Sequence, residues 1–97
     1  MGTAPTPTKP AEELGEDTGI SSGSPAKVIL FNDDVHTFEE VASQLIKALG
    51  CGTSKAEALT WEVHTRGKAS VFEGAMDECV RVSAVLEEIS LHTQIEV

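Results

Sequence analysis

Three sets of side chains in this sequence could do chemistry. Asn32-Asp33-Asp34 places an amide carbonyl and two carboxylates on successive residues, acceptors that could hold a cation. His36 and His64 add imidazoles, and Cys51 and Cys79 add thiols. Each set also has a plain structural reading. Asx side chains turn a chain by accepting from nearby backbone amides, a lone histidine can sit at the surface, and a cysteine can be a small core residue.

Catalysis finds little support among these residues. A Cys/His nucleophile needs a thiol beside a base, whereas Cys79 falls on a helical stripe that faces the core, where a thiol is inert. No GxSxG, phosphate-cradling glycine loop or HExxH occurs. A metal site built from Asp33, Asp34, His36 and His64, or a metal-assisted hydrolase using Asp33, Asp34 and His64, is conceivable by ligand type, but DDxH is a weak pattern, with no sign of residues to orient the ligands. The expectation is a protein that is not an enzyme, with no catalytic residue, no metal and no cofactor. The cysteines are isolated, without CxxC spacing, and read as plain thiols, Cys79 in the core and Cys51 in a turn.

The elements that must hold these residues follow from periodicity. Lys27-Val28-Ile29-Leu30-Phe31 is a short apolar, β-branched run typical of a buried strand, stopped by the Asn-Asp-Asp turn. Thr37 with Glu40 three residues later makes a capping-box pattern, and Val41, Leu45, Ile46 and Leu49 then recur at helical spacing until Gly50. Thr53 or Ser54 can cap a second helix with the stripe Ala56, Leu59, Thr60 and Val63, broken at Arg66-Gly67. Lys68 to Phe72 read as a strand. A third helix from about Gly74 carries Ala75, Cys79, Val82, Leu86 and Ile89, and residues 91–97 alternate as a half-buried strand. The order β-α-α-β-α-β predicts an α+β fold, a single two-layer sandwich with a three-stranded sheet and three helices.

Ahead of this domain, residues 1–26 hold all four prolines and only Leu14 and Ile20 as large aliphatics. They read as a disordered N-terminal tail, leaving 27–97 as the folded domain. A chain of 97 residues has room for one domain, which buries about 60% of its unfolded surface, so a deep active site is not expected. A net charge of −9 argues against nucleic acid, which is bound through Lys and Arg, and against an anionic membrane. No apolar run approaches a membrane span and the N-terminus lacks the apolar core of a secretion signal. The chain reads as soluble and cytoplasmic.

The run KVILFNDDVHTFEEV and the later WEVHTRGKA together resemble the ClpS family, over about residues 27–97. Its members carry a strand leading into Asn-Asp-Asp and, further on, Val-His, two residues, then Gly-Lys-Ala. The resemblance implies an adaptor that binds N-degrons, proteins whose first residue is Leu, Phe, Tyr or Trp. It hands them to a Clp AAA+ unfoldase, of the ClpA or ClpC type, with its peptidase. A free N-terminus is an ammonium with three donors beside a bulky side chain, so its receptor needs acceptors at the rim of an apolar hole.

In the family pattern the acceptors correspond to Asn32, Asp33 and His64, while Asp34 serves the loop. The hydrophobic wall corresponds to Val41 and Val63, with Leu91 beside them. The family usually has Thr two positions after the second Asp and, two further on, a Met that rejects β-branched side chains; here these are His36 and Phe38. A Met on the second helix is Thr60. Such changes reshape the pocket and with it the preference among Leu, Phe, Tyr and Trp. The tail corresponds to an extension that the unfoldase engages during delivery. A rival is the C-terminal domain of the bacterial ribosomal stalk protein, of similar layout, but its Lys-rich docking helix has no counterpart in this Lys-poor chain.

Overall fold

The computed structural model describes residues 25–97. Six elements run β1 (Ala26–Phe31), α1 (Phe38–Leu49), α2 (Thr53–Arg66), β2 (Lys68–Gly74), α3 (Met76–Glu87) and β3 (Thr93–Glu96), in the predicted order. β1 forms the centre of a three-stranded sheet, antiparallel to β2 on one side and β3 on the other. Its register sets Leu30 between Ala69 and Thr93, and Val28 between Phe72 and Ile95. The pairing slips between Val28 and Ile29, leaving Val71 as the extra residue of a bulge in β2. Helices cover one face, which Ala26, Val28 and Leu30 line. Against them pack Leu45 and Ala48 from α1, Ala56 and Val63 from α2, and Cys79, Val82 and Leu86 from α3.

Local rules explain the helix ends. The capping box forms as predicted: Thr37 accepts from the Glu40 amide at 3.1 Å, and the Glu40 carboxylate accepts from the Thr37 amide at 2.8 Å. At Gly50 and Gly67 the chain turns into the left-handed region, φ 66° and 89°, which closes α1 and α2 and which residues with a Cβ rarely adopt. The second helix departs from expectation. Thr53 and Ser54 both lie inside it, and Gly52 occupies the N-cap without any side-chain bond. The tight Gly50-Cys51-Gly52 link turns the chain one residue earlier than a hydroxyl cap would need.

Boundaries shift elsewhere by a residue or two. Ala26, placed in the tail by composition, is the first residue of β1, 1% exposed and paired with Gly74; a strand whose partner extends to Gly74 gains that pair. The rest of the predicted tail lies outside the described residues, apart from Pro25. α3 begins at Met76, leaving Ala75 exposed at its N-cap, and it ends before Ile89. β3 starts at Thr93, so Leu91 is buried just ahead of the strand. Cys79 is fully buried and its thiol donates to the Ala26 carbonyl at 3.3 Å, the inert core position expected of it.

Polar bonds fasten α1 across the end of α3. The Gln44 amide donates to the Val85 carbonyl at 2.6 Å, and Lys47 pairs with Glu88 at 2.7 Å. Exposed pairs of this kind contribute little stability, so the orientation of α1 rests on the buried Leu45 and on Gln44, whose amide would be costly to leave unpaired.

Candidate functional site

Two backbone bonds bring the polar loop to the end of α2. The Phe31 amide donates to the His92 carbonyl at 3.0 Å, and the Asn32 amide donates to the Gly67 carbonyl at 2.9 Å. Because Gly67 caps α2 three residues after His64, this second bond sets Asn32-Asp33 beside the last turn that carries His64. The seam between loop, α1, α2 and the segment before β3 is a recess, lined by Asn32, Asp33, Phe38, Val41, Thr60, Val63, His64 and Leu91. These are the eight positions assigned from the sequence, and they converge on one place.

Its two ends differ chemically. Asn32 and His64 are exposed at the polar end, and among the described residues neither the Asn32 amide group nor the His64 ring has a hydrogen-bond partner within the protein. At the apolar end Val63 and Leu91 are 3% and 4% exposed. Thr60 adds no free polar group here, because its hydroxyl donates back to the Ala56 carbonyl at 2.7 Å. Polar acceptors around an apolar floor match the needs of a charged amine carried beside a hydrophobic side chain.

Asp33 is not a free acceptor. One carboxylate oxygen accepts from the amides of Val35 and His36, each at 2.9 Å, and the other lies 2.7 Å from His36 Nδ1. Of the roughly four lone-pair positions of a carboxylate, about one is left for a ligand. Asp33 therefore does the turn-forming work of the structural reading and keeps about one acceptor position open. The His36 amide, with the Val35 amide and the His36 ring, holds the Asp33 carboxyl below its ordinary 3.8 against the opposing effect of burial.

His36 is a lining residue whose role the sequence did not disclose. Its other ring nitrogen, Nε2, sits 2.5 Å from the Ile89 carbonyl, so both nitrogens face acceptors and both are donors when the ring is protonated. The Asp33 carboxylate first, and then the Ile89 carbonyl, raise its pKa above 6.5. A His three residues after the Asp of an Asx turn was the available signal, but the partner at Ile89 lies 53 residues away. Phe31 and Thr37 also line the recess, Phe31 with its ring against His92 at 4.9 Å.

The bridge has a pH window. His36 is raised in the folded state, so its contribution is full below about 6.5 and fades as pH climbs through the higher folded value. Asp33 is lowered, so its contribution is present above 3.8 and is lost as pH falls through the lower folded value. Thermal stability is expected to decline from pH 6.5 towards 8.5 in the wild type and to decline less in His36→Asn, followed by circular dichroism. Parallel slopes for the two proteins would assign the decline to another group.

Other sites compare poorly. A wider groove of about 390 Å³ runs between Leu49, Lys55, Leu59 and the edge strand at Val71 and Phe72, where Glu73 is the one carboxylate and Lys55 adds an ammonium of its own. Among the described residues no three His, Cys, Asp or Glu side chains are grouped to hold a metal, and Asp33 is paired with His36 rather than with His64.

Residues 21–94 match the family model described as ATP-dependent Clp protease adaptor protein ClpS. Over 78 residues the chain is 38% identical to the ClpS adapter of Nostoc sp., covering 79% of this chain and 77% of that protein. Over 75 residues it is 35% identical to the mouse E3 ubiquitin-protein ligase UBR2, covering 76% of this chain but only 4% of the ligase. In fold it is similar to Agrobacterium tumefaciens ClpS2 bound to L-phenylalaninamide, with a TM-score of 0.72 over 77% of this chain and 98% of that one at 20% identity. A match through most of the folded domain, together with the Nostoc relative, places this chain in the ClpS family of ATP-dependent Clp protease adaptors.

Proposed function

We propose that the chain is an adaptor that binds proteins beginning with Leu, Phe, Tyr or Trp and delivers them to an ATP-dependent Clp unfoldase and its peptidase. The observation that carries this reading is the recess itself, with open acceptors from Asn32, Asp33 and His64 beside the apolar Phe38, Val41, Val63 and Leu91. The ammonium of a free N-terminus takes the acceptors, and its first side chain takes the apolar end. The Agrobacterium ClpS2 carries L-phenylalaninamide, a free amine beside an aromatic side chain, which supports a ligand of this class.

The adaptor performs no chemistry on its cargo, and no cofactor enters the scheme. Its partner is an AAA+ unfoldase of the ClpA or ClpC type, and a cytoplasmic location goes with this reading. Among the described residues no helix is long and apolar enough to cross a membrane. The residues ahead of β1, 1–25, act as the handle that the unfoldase engages. The test separates capture from delivery: the full chain should accelerate degradation of a Leu-first substrate by unfoldase and peptidase, while a chain lacking residues 1–20 should bind the substrate with unchanged affinity yet fail to accelerate. A truncated chain that delivers at the full rate would reduce the tail to a linker, and a full chain without effect would remove the adaptor reading.

A further inference from the structure

The recess is nearly shut. Its cavity measures about 10 Å³, about what a single water needs and far too little for a leucine or phenylalanine side chain. Some lining group must therefore move before an apolar side chain can enter, and packing decides which.

Most of the lining is pinned. Val41 and Val63 are β-branched residues in helices, restricted to one χ1 rotamer. Thr60 is tied to the Ala56 carbonyl, Thr37 is fixed by its capping box with Glu40, and Leu91 is almost fully buried. His36 is held at both ring nitrogens, by Asp33 and by Ile89. Phe31 sits in the central strand between His92 and the Lys68 ammonium, 5.8 Å from its ring. Asn32 and His64 are free but belong to the polar rim. Phe38 remains, half-buried at the first position of α1.

What lies beside Phe38 is unusual for a surface. Trp61 on α2 is 61% exposed, and its ring centroid is 6.4 Å from that of Phe38 at an interplanar angle of 59°. That separation is near the far end of the 4.5–7 Å range for aromatic pairs, so the rings can still close on one another. If Phe38 left the recess without such a neighbour it would exchange buried contacts for water. With Trp61 in place it exchanges them for an aromatic face. A residue can shift an equilibrium only through contacts that differ between the two states, and Trp61 supplies such a difference.

We propose that Trp61 is a positioning residue for ligand entry, the exposed ring onto which Phe38 turns when an apolar first side chain enters the recess. The inference rests on the reading of the recess as an N-terminal residue receptor. Trp61 acts through Phe38, as a positioning residue, and the amine-binding end is untouched by it.

The chain provides its own reporter, since Trp61 is its only tryptophan and it has no tyrosine. Titrating the wild type with a fluorescein-labelled Leu-first peptide gives the affinity by anisotropy, and unlabelled peptide gives the tryptophan emission. Emission should change saturably with the same midpoint, because Phe38 moves against the indole. Trp61→Ala should bind the Leu-first peptide about three- to tenfold more weakly, with an unchanged ratio between free and acetylated peptides and an unchanged melting temperature. Trp61→Phe should recover most of the affinity. Wild-type affinity in Trp61→Ala, or a saturated complex whose emission has not moved, would overturn the proposal. Absence of anisotropy change in the wild type would instead bring down the receptor reading, and this inference with it.

Discussion

A Leu-first peptide acetylated at its amine is expected to bind this chain at least a hundredfold more weakly than the free peptide. The ammonium carries three donors, and the recess offers it Asn32, His64 and the one lone-pair position that Asp33 has left. Charge-assisted hydrogen bonds contribute roughly 1.5–3 kcal/mol each, so losing two costs about 3–6 kcal/mol, more than two decades in affinity. Isothermal titration of the two peptides measures it, and binding within twofold would remove the ammonium clamp. The bonds within the loop decide which variants are informative. Asp33→Ala removes both the ligand contact and the acceptor for the Val35 and His36 amides, so weakened binding would not say which loss was responsible. Asp33→Asn keeps one oxygen for those amides while removing the charge, and it is expected to lose at least tenfold in affinity with an unchanged circular dichroism spectrum. Asn32→Ala is clean on the side-chain side, because Asn32 holds the loop through its backbone bond to Gly67.

Legibility in the sequence tracks the range of the interaction concerned. The capping box of Thr37 and Glu40, the glycine ends of α1 and α2 and the stripe of Cys79, Val82 and Leu86 are set by residues within about one or two turns, and all of them were readable. The eight recess positions were readable through the ClpS resemblance, which supplied the long-range pairing of two motifs some thirty residues apart that neither motif reveals alone. What stayed hidden depends on contacts made only by the folded chain. His36 meets the Ile89 carbonyl 53 residues away, so its double anchoring has no local trace. Phe38 and Trp61 belong to different helices, and their contact follows from how α1 crosses α2. The N-cap of α2 was misplaced for the opposite reason, since a local signal at Thr53 and Ser54 gave way to the geometry of the Gly50-Cys51-Gly52 link.

Phe38→Ala is the second substitution with a large expected effect, on the shape that the recess accepts. In the wild type the ring at the start of α1 lines the recess and borders Trp61, so an entering side chain must pass beside it. A Cβ branch puts bulk at the mouth of the recess, beside the ring even when it is turned towards Trp61, whereas leucine branches one atom further in. Phe has two side-chain torsions and a rigid plane, so it yields less than the flexible Met usual at this position. Discrimination of this kind amounts to about 1–3 kcal/mol, and the wild type should prefer Leu-first over Ile-first peptides by at least tenfold. Phe38→Ala should bring that ratio to within about threefold, by raising the affinity for Ile and Val more than that for Leu. The alternative is that Phe38 serves chiefly as a packing residue, because it also touches the core cluster. Truncating a fully buried Phe costs about 3–5 kcal/mol, but Phe38 is only half-buried, so a smaller loss of stability is expected and the variant should stay folded at 25 °C. Melting temperature and the Leu-to-Ile ratio, measured on the same variant, separate the two roles. A strongly lowered melting temperature with the wild-type ratio preserved in the folded fraction would leave Phe38 as packing alone, whereas a collapsed ratio in a folded protein establishes it as the group that reads the first side chain.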